Sequence, residues 1–335
     1  MMTSTSDSCK DGVSKSSDDV VCEVNDMLNN MSTNDNNVSI CANCGKEGDN
    51  VNNICNKCKM VKYCNAACKK KHRHKHKKEC EQYVAELHDE ALFKQPPYPH
   101  GDCPICFLRL PLLDPTGKKY HACCGKVICS GCCYAPLYDH RGNVVREKKC
   151  PFCRTPLPKS NEENIQRYKK RVEAGDPIAM YNQGSYYREG RHGFPQDTNK
   201  ALELFHRAAE LGHAKAYCSI GSIYYRGQGV EIDTKRAVHY YEIGAISGDE
   251  TARYCLGLVE KSTGNLDRAI KHFMIAVVCG DSQSINKIKQ MYSEGCATKE
   301  DYKRALHSYQ EYLGEIKSEQ RDKAAESNED FYRYY

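Results

Sequence analysis

Two cysteines separated by two or three residues put two thiolates on one tight turn, which is half of a tetrahedral site for zinc. Sixteen of the 22 cysteines in this chain lie between Cys41 and Cys153, and most arrive as such pairs. Repetition of the pair along a short stretch implies several structural metal sites. A disulfide framework would need an oxidising compartment. Residues 1–40 are rich in Ser, Asp and Asn, with no apolar run longer than Val20-Val21, so no signal-peptide core is expected. No stretch approaches the length of a membrane span. The expectation is therefore zinc, in a reducing compartment, the cytoplasm or nucleus.

The first cluster reads Cys41-x2-Cys44, Cys55-x2-Cys58, Cys64-x3-Cys68 and His76-x3-Cys80. Seven cysteines and one histidine suffice for two closed tetrahedral sites. With Tyr63 directly before Cys64, the segment resembles a MYND finger over its whole length. The resemblance implies interleaved sites, Cys41, Cys44, Cys64 and Cys68 on one zinc and Cys55, Cys58, His76 and Cys80 on the other. It also implies binding of short proline-containing peptides. Forty residues bury little core, so metal binding here is folding energy. The basic run Lys69–Lys78 reads mainly as a solvated face that offsets the negative zinc–thiolate centres. A nuclear-import or nucleic-acid contact is the competing reading. His72 and His74 are expected to be exposed, since only His76 has the spacing to Cys80.

The second cluster opens on Cys103-Pro104-Ile105-Cys106 and closes on Cys150-Pro151-Phe152-Cys153-Arg154, with His121, Cys123, Cys124, Cys129, Cys132 and Cys133 between. It resembles a RING finger, which implies Cys103, Cys106, Cys129 and Cys132 on one zinc and Cys150 and Cys153 as half of the other. Lys126 stands where most such fingers place a histidine, and an ammonium cannot coordinate. Cys124 takes the position used in all-cysteine variants. Its companion is Cys123, favoured for its second thiolate, or His121 as the alternative chelate. Four zinc ions are expected in all.

RING ubiquitin ligases act by orienting a charged ubiquitin-conjugating enzyme. The resemblance implies Ile105 as the apolar anchor for that enzyme and Arg154 as the cation bonding both enzyme and ubiquitin. The competing reading is a purely structural finger, with Ile105 packed inside its knuckle and Arg154 an ordinary surface charge.

The elements beyond residue 165 are helical and repeat. Ala-x4-Gly-x2-Tyr occurs at Ala179, Gly184, Tyr187 and at Ala216, Gly221, Tyr224. A third copy has Ala252, Gly257 and Glu260, and a degenerate fourth has Ser284, Lys289 and Tyr292. Each is followed by an Asp-led, Ala-containing run at Asp197, Asp233, Asp267 or Asp301, an N-cap signal. The pattern resembles Sel1-like repeats, an αα-solenoid related to tetratricopeptide repeats. The glycines are packing positions and Asp233 and Asp301 are caps. Cys218, Cys255 and Cys279 are small core residues. Tyr187 and Tyr224 are expected between helices. Tyr186 and Tyr225 either face outward on the concave surface built from the first helix of each pair, which is expected to bind a protein partner, or only cover the helix joint.

The fold class that follows is mostly α: small zinc-stabilised MYND and RING-like modules, then a solenoid of Sel1-like repeats. The organisation is a disordered tail (1–40), a MYND-type finger (41–80), a helix and proline linker (81–100), a RING-like finger (101–158), repeats (165–316) and a charged tail (317–335). At 335 residues and a net charge of +5, nothing commits the chain to nucleic acid. No Ser-His-Asp, Walker or dinucleotide signature occurs, and no SET-like sequence supports methyl transfer. The leading functional expectation is a RING-type ubiquitin ligase whose MYND and repeat modules hold substrate. The alternative is a non-enzymatic scaffold.

Overall fold

The computed structural model describes residues 39–48, 50–95, 101–112, 117–137, 145 and 147–327. Nearly all of the expected N-terminal tail, the prolines Pro96, Pro97 and Pro99, and residues 328–335 lie outside that range. The chain divides into two compact units, residues 1–92 and 93–335. Among the described residues no helix is long and apolar enough to cross a membrane.

The first unit has almost no conventional core. Its two-residue strands, β1 (Asn53–Ile54) and β2 (Lys62–Tyr63), pair antiparallel. Val51 and Tyr63 are buried beside Cys41. Helix α1 (Ala66–Phe93) is long and polar, and His76, Cys80 and Leu92 are its buried residues. A helix with so narrow an apolar stripe is held by its metal ligands more than by packing.

The second unit begins with a hairpin, β3 (Lys118–His121) and β4 (Lys126–Cys129), followed by the short helix α2 (Ser130–Tyr134). Helices α3 (Asn161–Glu173), α4 (Pro177–Glu189), α5 (Thr198–Glu210), α6 (Ala214–Arg226), α7 (Thr234–Ile246), α8 (Glu250–Ser262) and α9 (Leu266–Val278) each have 13 residues. Then come α10 (Ser282–Ser293), α11 (Lys299–Ile316) and α12 (Glu319–Ser327).

The repeat signature is a packing rule. Gly184, Gly221 and Gly257 sit on the first helix of successive pairs, under the rings of Phe205, Tyr241 and Phe273 from the second. A Cβ at those glycines would lie 2.8, 2.7 and 2.5 Å from the nearest ring carbon. Ala179, Ala216, Ala252 and Ser284 are fully enclosed at the matching upstream positions. The third copy is shorter because its helices are joined by residues 263–265, where the earlier pairs use 190–197 and 227–233. Asp233 caps α7 by accepting from Arg236 N at 2.8 Å. Asp301 is not itself the cap of α11: Thr298 holds that place, and the Asp301 carboxylate bonds back to Thr298 N at 3.0 Å.

The RING-like segment is built into the helical array. On one side Tyr120 donates to Asp176 at 2.7 Å, Ala122 packs with Tyr168 and Ala179, and Arg171 donates to the carbonyls of Ala122 and Cys123. On the other, Tyr312 Oη accepts from Leu112 N at 2.8 Å, Arg109 pairs with Glu315, and α12 packs on α2. Residues 319–327, expected within a charged tail, are helical with Arg321 wholly buried. That expectation failed because the helix is stabilised by what it covers, not by its own polar sequence.

Tyr186 is not free on the concave surface. Its ring packs against Tyr168, His192 and Phe194, in the cluster that receives Ala122. Tyr225 remains 46% exposed. A cavity of about 210 Å³ separates the hairpin from the first helices, lined by Lys118, Tyr120, Tyr181, Lys215, Asp249 and Glu250. Part of the first-helix face is therefore covered by this chain's own finger.

Asp249 caps α8 from a buried position, and burial, reinforced by Glu250, lifts its carboxyl to about 7. Between its ordinary value of 3.8 and about 7 the native state holds a proton that the unfolded chain has lost. Stability should fall as pH rises through that window, by roughly 2 to 4 kcal/mol. Asp249→Asn keeps a capping oxygen, and urea titrations at pH 5 and pH 8 should show the slope flattened. An unchanged slope would mean that the carboxyl is not protonated in the native state.

Candidate metal centres

Each knuckle is built the same way. In Cys41–Cys44, Cys55–Cys58, Cys103–Cys106 and Cys150–Cys153 the first cysteine's carbonyl accepts from the N–H following the second. The donors are Gly45 (2.8 Å), Lys59 (3.1 Å), Phe107 (2.9 Å) and Arg154 (3.0 Å). Those four residues have φ of +72°, +57°, +56° and +61°. Three are not glycine, a conformation that costs about 1 kcal/mol or more at each. The turn accepts that cost because it aims both sulfurs at one point. A second bond closes each knuckle from behind, such as Cys103 N to Leu108 O and Cys150 N to Thr155 O, at 2.9 and 2.8 Å.

The side chains gather into four groups whose ligand atoms lie within 4.8 Å of one another: Cys41, Cys44, Cys64, Cys68; Cys55, Cys58, His76, Cys80; Cys103, Cys106, Cys129, Cys132; and Cys123, Cys124, Cys150, Cys153. Both modules are interleaved, each group drawing its pairs from either side of the other. A tetrahedral site with Zn–S bonds near 2.3 Å has sulfur–sulfur edges of roughly 3.8 Å. The separations Cys44–Cys64 (3.7 Å), Cys55–Cys80 (3.7 Å), Cys106–Cys129 (3.8 Å) and Cys124–Cys150 (3.8 Å) fit that edge. They are far longer than a disulfide bond of about 2.05 Å. His76 offers Nε2, 3.2 Å from Cys58 Sγ. Three S₄ sets and one S₃N set are the donor chemistry of structural zinc.

The electrostatics show why a dication suits these sites. The Cys129 thiol beside Cys103, acting against burial, draws the Cys103 thiol down to about 4, and the same contact pushes Cys129 far up. The hydrogen bond to Cys68, together with burial, raises Cys64 to about 12. Burial pushes Cys41 up, but N–H groups of Cys64, Cys44 and Asn43 outweigh it and leave about 6. Thiols packed this closely share protons, and binding Zn²⁺ as four thiolates expels them.

The second RING-like group takes Cys123, with Cys153 Sγ to Cys123 Sγ at 3.4 Å. His121 lies outside it, its Nε2 3.3 Å from the spare Cys133. Burial, helped by Lys119, lowers His121 to about 4 and keeps it neutral, and burial raises Cys133 to about 12. The backbone alone would suggest otherwise. Gly125 N bonds His121 O at 2.8 Å with φ of +70°, so His121 occupies the first-ligand place of the turn. The side-chain directions, not the turn, bring in Cys123. Lys126 is exposed, its ammonium 5.9 Å from the centre of the Phe152 ring.

In the first unit His74 is exposed, but His72 is not. It shares a 3.2 Å hydrogen bond with the Tyr63 hydroxyl and stacks on His76. A partner eight residues beyond Cys64 carries no spacing signal, so only the fold reveals it. Lys69 of the basic run bonds Ile54 O and Asn56 Oδ1, both at 2.7 Å, which makes it a clamp on the 55–58 knuckle. Ile105 and Arg154 are both exposed at knuckle tips.

A zinc-finger and helical-repeat protein is the class these elements define. Residues 41–80 match the MYND finger family, and residues 177–213 and 214–249 match the Sel1 repeat. The chain thus carries a MYND finger and Sel1 repeats, which are protein-interaction modules. The cysteines of residues 103–153 alone suggest a RING-like finger. Chitin synthase regulatory factor 4 of Schizosaccharomyces pombe is 23% identical over 45% of this chain and 24% of its own length. Uncharacterized protein NMB1327 of Neisseria meningitidis is 44% identical over 44% and 30%. ERAD-associated E3 ubiquitin-protein ligase component HRD3B of Arabidopsis thaliana is 28% identical over 33% and 17%. The chain spans less than a third of each of these relatives. A Sel1 repeat protein structure from Oxalobacter formigenes aligns at 26% identity over 57% of this chain and 70% of that one, with a TM-score of 0.39.

Proposed function

We propose that this zinc-binding interaction protein is a RING-type ubiquitin ligase of the cytoplasm or nucleus, with the MYND finger and repeats holding substrate. The observation that carries the reading is the interleaved pair of tetrathiolate centres with Ile105 and Arg154 left exposed beside them. Arg154 closes its knuckle through its backbone N–H, which leaves the side chain exposed, and an apolar anchor plus a cation is what gripping a charged conjugating enzyme requires. HRD3B of Arabidopsis, by its name, is a component of an E3 ligase. Proline-containing peptides are the ligands proposed for the MYND finger.

Ile105→Ala and Arg154→Ala should each abolish ubiquitin transfer in an autoubiquitination assay across a panel of conjugating enzymes, with four zincs retained by elemental analysis. A parent inactive with every conjugating enzyme, or variants as active as the parent, would reject the ligase. The second reading, a non-enzymatic adaptor, is favoured by one observation. Helix α12 covers the RING-like helix α2, so close that a Cβ at Gly131 would meet Arg321 at 3.0 Å. Covering by the chain itself suits a finger whose role is architectural.

A further inference from the structure

Arg321 is a fully buried guanidinium, 0% exposed, with no carboxylate at ion-pair distance among the described residues. A charge in that position is costly unless something of opposite sign lies near. Its Nη1 donates to Ile316 O at 2.5 Å, which closes the end of α11. Its Nη2 faces the finger, 3.4 Å from Leu108 O and 3.9 Å from Cys106 Sγ. Leu108 O is the carbonyl that also receives Cys103 N and shuts the knuckle. The residue before it, Gln320, places Oε1 3.8 Å from Cys132 Sγ. Helix α12 therefore touches both pairs of ligands in the Cys103, Cys106, Cys129, Cys132 centre.

We infer that Arg321 is the counter-cation of this centre, and that through it metal retention and docking of α12 are one coupled event. Four thiolates around Zn²⁺ carry a net charge of −2, which supplies the opposite charge a buried guanidinium lacks. Arg321 in return holds the knuckle carbonyl and sulfur in place. Coupling of this kind is reciprocal: whatever the helix does for the metal, the metal does for the helix. Lys323, on the same helix, is exposed and pairs with Glu319 at 2.7 Å, so it provides the contrast.

The test is zinc release from the full chain into a chromogenic chelator. Arg321→Gln should release one of the four zincs about 10- to 100-fold faster, the usual effect of removing an outer partner of a ligand. Arg321→Lys, which keeps the charge, should recover most of the retention, and Lys323→Gln should match the parent. In a Cys106→Ser background Arg321→Gln should add nothing, since both act on one centre. Hydrogen exchange of residues 319–327 should quicken when the metal is stripped. Release unchanged in Arg321→Gln would overturn the inference. So would equal loss in the Lys and Gln variants with a matching drop in melting temperature, which would mark Arg321 as packing alone.

Discussion

Stripping zinc from the intact chain is expected to unfold residues 41–80 while helices α4 to α11 keep melting as a folded array. Buried apolar residues in the finger are few, Val51 and Tyr63 foremost, and its long helix turns little more than His76 and Cys80 inward. Structural zinc in such modules supplies about 10 to 16 kcal/mol of apparent folding energy, which nothing else in the segment replaces. His76→Ala should produce the same local loss at one site and lower the zinc count by at least one. The measurement is far-UV circular dichroism with hydrogen exchange, before and after chelation. Persistent protection of residues 66–80 in metal-free protein would show that the helix stands without its ligands.

The second large effect belongs to the repeats. Gly257→Ala would place a methyl 2.5 Å from Cε1 of Phe273, a ring with no exposure and no room to withdraw. Overpacking of this kind costs about 3 kcal/mol. In a unit of this size that lowers the melting temperature by roughly 6 to 12 °C. Gly314 is the control: it also lies in a helix, but no atom stands within 4 Å of its would-be Cβ. Gly314→Ala should stabilise by up to about 1 kcal/mol through helix propensity. If both substitutions behave alike, the ring-on-glycine contact is not what specifies the repeat. Phe273→Leu combined with Gly257→Ala should recover part of the loss, since the smaller side chain vacates the ring's far edge.

The two kinds of local order were legible in the chain for the same reason. A chelating knuckle is complete within about five residues, so Cys-x-x-Cys carries its own geometry, and the structure gathers those same cysteines into four groups. A helical repeat writes its packing rule once per copy, so Gly184, Gly221 and Gly257 announce a ring that must lie over each of them. Tertiary structure decided whatever depends on residues far apart in sequence. The choice of Cys123 over His121 turns on which side chain faces Cys150 and Cys153, some thirty positions away, and the turn around Gly125 points the other way. Nothing on its own helix decides whether Tyr186 faces outward, and the fold packs it against Tyr168 in the cluster that takes the finger's Ala122. Residues 319–327 are polar enough to read as a tail, yet Arg321 is buried because Leu108 and Cys106, more than two hundred positions earlier, receive it. Chelation and repetition are local and leave a pattern in the sequence, whereas the partner of a buried charge is supplied only by the fold.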